Sequence, residues 1–177
     1  MSLTLTHAFV PISAAIAIAR RPVAWRLLAA AVLVSMAPDL DGLSHPLFGI
    51  ARDSIYGHRG AAHSLFTALA VGCVAAFCHR ALRVRALTAG VAVALAMASH
   101  GLIDMMTNSG KPVAYLWPIS SIRLFADWRP LPGSGAYASQ LWPQIVGRIG
   151  PEMVHIVLPL VLAGTAFRVL RATLSRR

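Results

Sequence analysis

Five apolar stretches without a single aspartate or glutamate divide this chain: roughly Leu3 to Ala19, Val23 to Ala37, Ala61 to Phe77, Ala86 to Ile103 and Met153 to Leu170. Each holds about 15 to 18 residues, and at ~1.5 Å rise per residue a helix of that length covers ~23 to 27 Å, slightly less than a ~30 Å hydrocarbon core. The expected fold is therefore all-α: one integral membrane domain over residues 1–177, a bundle of about five transmembrane helices. The composition agrees, with 57% hydrophobic and 12% charged residues. The stretch from about Met105 to Glu152, rich in Pro, Gly, Ser and Trp, is expected to form an irregular cap on the outer side.

A net charge of +10 raises the question of nucleic acid. No basic run interleaved with aromatics and no binding motif accompanies it, so nucleic acid is excluded as the expected partner and helix-flanking arginines account for the charge. Arg20, Arg21 and Arg26 separate the first two stretches, Arg80, Arg83 and Arg85 the third and fourth, and Arg168, Arg171, Arg176 and Arg177 lie at the end. Placing these ten in the cytoplasm puts the amino terminus out and the carboxyl terminus in. Arg52, Arg59, Lys111, Arg123, Arg129 and Arg148 then lie in two longer outer loops. Cys73 and Cys78 fall in one apolar stretch and read as small core residues. Trp25, Trp117, Trp128 and Trp142 read as interfacial anchors.

Against this background four polar clusters stand out: His7, Asp39 with Asp41, His58 with His63, and His100 with Asp104. They hold three of the six acidic residues. Carboxylates and imidazoles are costly to keep beside lipid unless they are used. The orientation, drawn from the cations alone, puts all four clusters at the outer mouth of the bundle. His100 and Asp104 are four apart and share a helix face. Pro38 is expected to leave an extended turn at Ala37, with the carboxylates of Asp39 and Asp41 pointing similarly.

Four imidazoles and three carboxylates, His7, Asp39, Asp41, His58, His63, His100 and Asp104, suit one or two divalent ions. Mixed nitrogen and oxygen ligation without thiolate points to Zn, Mn or Fe over Ca or Cu(I), without choosing among the three; Zn is taken as the first expectation. Such a centre open to water suits hydrolysis, with Asp41 among the candidate general bases. Arg59, and after it Arg123, are candidates for binding an anionic substrate or stabilising charge in the transition state. Of the remaining histidines, His45 and His79 are set aside and His155 is held as a reserve ligand.

The chain resembles the LexA-regulated, inner-membrane-associated metal-dependent hydrolase family of bacteria. The resemblance rests on Thr6-His7, Pro38-Asp39-Leu40-Asp41, His58-Arg59 followed by His63-Ser64, His100-Gly101-Leu102-Ile103-Asp104 with Thr107 and Gly110, and Pro118-Ile119-Ser120. Ala62 departs from the threonine usual before the second histidine. The resemblance implies a hydrolase of the bacterial inner membrane and names no substrate. A more distant likeness to zinc-dependent phospholipase C favours phosphoester cleavage. The expected activity is thus metal-dependent hydrolysis of an amphiphilic, phosphoester-containing substrate at the outer face. The alternatives are an ion- or proton-coupled transporter and a structural metal site without turnover.

Overall fold

The computed structural model describes residues 4–18, 24–108, 110–131, 147 and 149–174. Leu3, Ala19 and Val23, which bound expected spans, lie outside the described residues, as do Arg20, Arg21, Arg148, Arg176, Arg177 and Trp142. The described chain is mostly helical: α1 (Thr4–His7), α2 (Phe9–Ile18), α3 (Trp25–Met36), α4 (Ser44–Phe48), α5 (Leu65–Phe77), α6 (His79–Leu82), α7 (Ala86–Met105) and α8 (Leu158–Leu174). Tight 3-10 turns cover Ala37–Leu43 and Ala61–His63, and one widened π-turn, Met153–Val157, leads into α8. Among the described residues there is no strand, only isolated bridges pairing Thr107 with Leu131 and Val113 with Leu124.

Three helical stretches, Trp25–Phe48, Ala86–Met105 and Ile149–Leu174, are long and apolar enough to cross a membrane. Thr4–Ile18 and Leu65–Phe77 are apolar but shorter. The expected five spans thus coincide in position with five apolar helical stretches, three of which have spanning length. The second extends beyond its expected limit because Pro38 sits at the start of the 3-10 turn, where no backbone N–H is needed. The extended turn expected at Ala37 is absent: its φ of -60° and ψ of -35° are helical. The preference against helix before proline yields here to continued winding of the chain.

α7 is the central strut, packing against both α3 and α5, while α2 packs along α8. Small residues let these helices approach closely: Ala68, Ala75, Ala89 and Ala96 are buried along the seams. Larger apolar side chains, among them Leu33, Leu69, Leu95 and Leu162, point outward and are exposed, as suits contact with lipid tails. Ser64 caps α5, its side-chain oxygen accepting the Thr67 N–H at 3.1 Å.

The helix directions sort polar groups to opposite ends of the bundle. Arg26, at the start of α3, donates to the Ala81 carbonyl beyond the end of α5, and Arg171 on α8 donates to the Ile18 carbonyl at the end of α2. At the other end lie the start of α2, the ends of α3 and α7, and the start of α5. The irregular segment 107–131 docks there through Ala114 N–H to the Arg59 carbonyl and Leu65 N–H to the Tyr115 carbonyl.

Candidate metal centre

Each element delivers a different donor to that end. α1 ends on His7, the 3-10 turn after α3 carries Asp39 and Asp41, the turn before α5 ends on His63, and the last turns of α7 present His100 and Asp104. His7, His63, His100 and Asp104 are buried. Asp39, His63, His100 and Asp104 bring one ligand atom each within 4.8 Å of one another.

The orientation of the imidazoles identifies the facing atoms. His100 Nδ1 lies 2.7 Å from the Ser35 carbonyl, which fixes the proton on that nitrogen and leaves a lone pair on Nε2. His63 Nδ1 lies 3.0 Å from Asp41 Oδ2, an ion-pair contact. The two Nε2 atoms face each other at 3.1 Å, where a protonated His63 donates to His100 and where, with both imidazoles neutral, two lone pairs converge on a point a cation could occupy. Burial pushes the His63 imidazole down, but the adjoining Asp104 and Asp41 carboxylates prevail and hold it up to about 9. The two carboxylates thus favour positive charge on or beside this imidazole.

The spacing fits a small divalent ion. Donors about 2.0 to 2.1 Å from a tetrahedral ion lie about 3.3 to 3.5 Å from one another. Here the His63 Nε2 to Asp104 Oδ2 separation is 3.4 Å, His100 Nε2 to Asp39 Oδ1 is 3.5 Å, and His100 Nε2 to Asp104 Oδ2 is 3.8 Å. Asp39 Oδ1 is buried without a hydrogen bond, as an atom reserved for a cation would be.

The other residues singled out in the sequence surround this group. His7 stacks on His100 with ring centroids 3.7 Å apart, and its Nε2 is 3.9 Å from Asp104 Oδ1. Asp41 and Asp39 do not point similarly, because residues two apart on a 3-10 turn diverge. Asp39 faces His100, whereas Asp41 faces His63 and accepts from His58 Nδ1 at 2.6 Å and from the Arg59 N–H at 3.0 Å. His58 stands outside the four-residue group, its Nε2 buried and without a hydrogen bond. It borders a cavity of about 180 Å³ lined also by Asp41, Gly42, Ser44, His45 and Arg52.

Arg59 is fully buried, with a left-handed φ of 61° that is uncommon for a residue with a side chain. Its Nε lies 3.0 Å from Asp104 Oδ2, and its Nη1 donates to Thr107 Oγ1 and the Lys111 carbonyl. Arg123 donates to the carbonyls of His58, Arg59, Pro112, Asp53 and Ser54, cross-linking two loops. His155 is exposed, with Nδ1 on the Pro151 carbonyl.

Sequence reasoning missed several supports. Ser35 contributes a backbone carbonyl, which no residue type advertises. Thr4 donates to Asp39 Oδ2 at 2.5 Å, and Thr6 donates to the buried Glu152. Their nearness to His7 in the sequence was the one available signal.

The comparisons with known proteins agree with the membrane architecture. A family model described as YdjM inner membrane protein matches residues 1–174. The inner membrane protein YbcI of Escherichia coli (strain K12) is 36% identical over 130 residues, which cover 73% of this chain and 75% of that protein. No solved structure matches. A helical chain with spanning-length apolar helices, matched almost end to end by that model, belongs to the YdjM inner membrane protein family.

Proposed function

We propose that the protein is a membrane-embedded, metal-dependent hydrolase acting on an amphiphilic phosphoester at the outer face of the inner membrane. The observation that carries the reading is the convergence of His63 Nε2 and His100 Nε2 at 3.1 Å, bordered by the Asp39 and Asp104 carboxylates. Asp39, His63, His100 and Asp104 would hold a divalent ion, Zn first, with Mn or Fe as alternatives. When bound, the ion supplies Lewis-acid activation of water and of a phosphoryl oxygen.

The protein's own groups do the rest. Asp41 orients His58 by accepting from its Nδ1, leaving Nε2 as the proton acceptor. His58 takes a proton from the attacking water and returns it to the departing alkoxide as the phosphorus–oxygen bond breaks. The adjoining cavity places Arg52, His45 and Ser44 around a space suited to an anionic headgroup. Leu43, Leu47 and Phe48, exposed on the same segment, offer contact for acyl chains. Arg123 supports this site by holding its loops together, and Arg59 does so through Asp104.

The test is hydrolysis of phosphoester amphiphiles by the metal-loaded protein in detergent, with the released phosphate product quantified. Replacing His58 with glutamine is expected to lower turnover by about 10²- to 10⁴-fold while metal content stays unchanged. Undiminished turnover in that variant sinks the assigned proton acceptor. A tightly bound, four-coordinate ion without turnover on any substrate marks a structural site instead.

A further inference from the structure

The charges around the four-residue group are unequal. Asp39, Asp41 and Asp104 bring three carboxylates into one small volume, with side chains only 6%, 7% and 0% exposed. A cluster this buried is stable only when its charge is nearly neutralised, since isolated charge in a low-dielectric interior is very costly. Arg59 is the cation in direct contact with it, and it touches two of the three acids: Nε lies 3.0 Å from Asp104 Oδ2, and its backbone N–H donates to Asp41 Oδ2 at 3.0 Å. One layer out, Arg123 and Glu152 carry opposite signs. Arg123 reaches the carbonyls of His58 and Arg59, and Glu152 accepts from Thr6.

Building on the metal-binding reading above, we infer that the centre holds a single divalent ion and that the Arg59 guanidinium stands in for a second. One divalent ion together with Arg59 matches the three carboxylates in charge, with the imidazoles neutral as ligands. A second divalent ion leaves the pocket carrying an excess of two positive charges in a buried setting. The guanidinium is also fixed beside Asp104 Oδ2, donating to Thr107 Oγ1 at 3.1 Å and to the Lys111 carbonyl at 2.6 Å. The oxygen that faces the guanidinium, Asp104 Oδ2, is also the one 3.4 Å from His63 Nε2, so the organic cation already takes a share of the negative charge that a second ion would need. The left-handed backbone at Arg59 is consistent with a side chain held in place by its surroundings, against local preference.

The experiment measures metal per chain by elemental analysis of full-length protein purified in detergent and equilibrated with excess Zn²⁺ or Co²⁺. A ratio of one is expected. A ratio of two overturns the inference while leaving the metal site intact, and a ratio near zero overturns the underlying metal-binding reading. Arg59→Lys keeps the charge and is expected to remain at one. Arg59→Gln removes it and is expected to accept additional metal, raising the ratio above one, with a changed Co²⁺ absorption spectrum. Pairing Arg59→Gln with Asp41→Asn removes one charge of each sign and is expected to restore a ratio of one, a rescue that a purely structural role for Arg59 does not produce. If Arg59→Gln stays at one, or Arg59→Lys rises above it, the stand-in role is wrong. If Arg59→Gln does not fold, the lysine variant and the double variant decide the matter.

Discussion

Substituting alanine for His100 is expected to strip the protein of bound metal, with content falling from about one ion per chain to less than a tenth of that under the same loading. The imidazole is central to the group: its Nε2 lies within 3.1 to 3.8 Å of His63, Asp39 and Asp104, and its Nδ1 ties α7 to the end of α3 through the Ser35 carbonyl. Losing one ligand from a small ion's shell typically weakens binding by several orders of magnitude, whereas losing a supporting partner costs about 10- to 100-fold. Asp41→Asn, which alters a group facing His63 Nδ1, therefore serves as the graded control. Equal metal in the His100→Ala variant and the wild type, measured by elemental analysis, excludes this residue from the site.

The second large effect is expected from a glycine, a residue with no side chain to contribute to the site. A Cβ built on Gly60 falls 2.0 Å from the Ile55 carbonyl oxygen and 2.7 Å from the Gly57 carbonyl oxygen, both backbone atoms that cannot swing aside. Those carbonyls are in use, accepting from the Ala61 and Gly60 N–H groups at 2.7 and 3.0 Å. Gly60→Ala must therefore unwind the turn between His58 and His63, at a cost on the order of 4 kcal/mol or more, in the range of severe single substitutions. The thermal unfolding midpoint, followed by tryptophan fluorescence, is expected to fall by many degrees, and metal content to fall with it. A variant that unfolds at the wild-type temperature and keeps its metal shows that the turn tolerates the clash.

The sequence reveals the helical stretches more clearly than their ends, for a physical reason. Apolar runs free of acids locate α2, α3, α5, α7 and α8 because hydrocarbon leaves the backbone little choice. Their limits depend on local details, such as a proline that starts a 3-10 turn where a break was expected, and a Ser64 cap that places His63 just ahead of α5. Length also matters: thirteen residues in α5 make a helix of ~20 Å, so hydropathy alone does not establish a crossing there.

At the site, the residue types that bear chemistry were legible because acids are so rare in this chain. Their distinct positions were not. Asp39 and Asp41 look equivalent in the sequence, yet the winding of one turn sends the first toward His100 and the second toward His58 and His63. Arg59 reads as a loop cation open to an anionic ligand, and its complete burial comes from Asp104 on α7 together with Thr107 and Lys111, residues far from it in the chain.

The placement of His100 five residues short of the end of α7 has a consequence for where chemistry takes place. At ~1.5 Å per residue, the imidazole is recessed by ~7 Å from the last turn of a helix long and apolar enough to cross a membrane. If the proposed hydrolysis takes place here, a tailed substrate in the leaflet would present its ester linkages at about such a depth, and the reacting bond would meet the centre by lateral diffusion. Under the hydrolase reading, rate should then follow the mole fraction of substrate in the micelle or vesicle, while its bulk concentration has little influence.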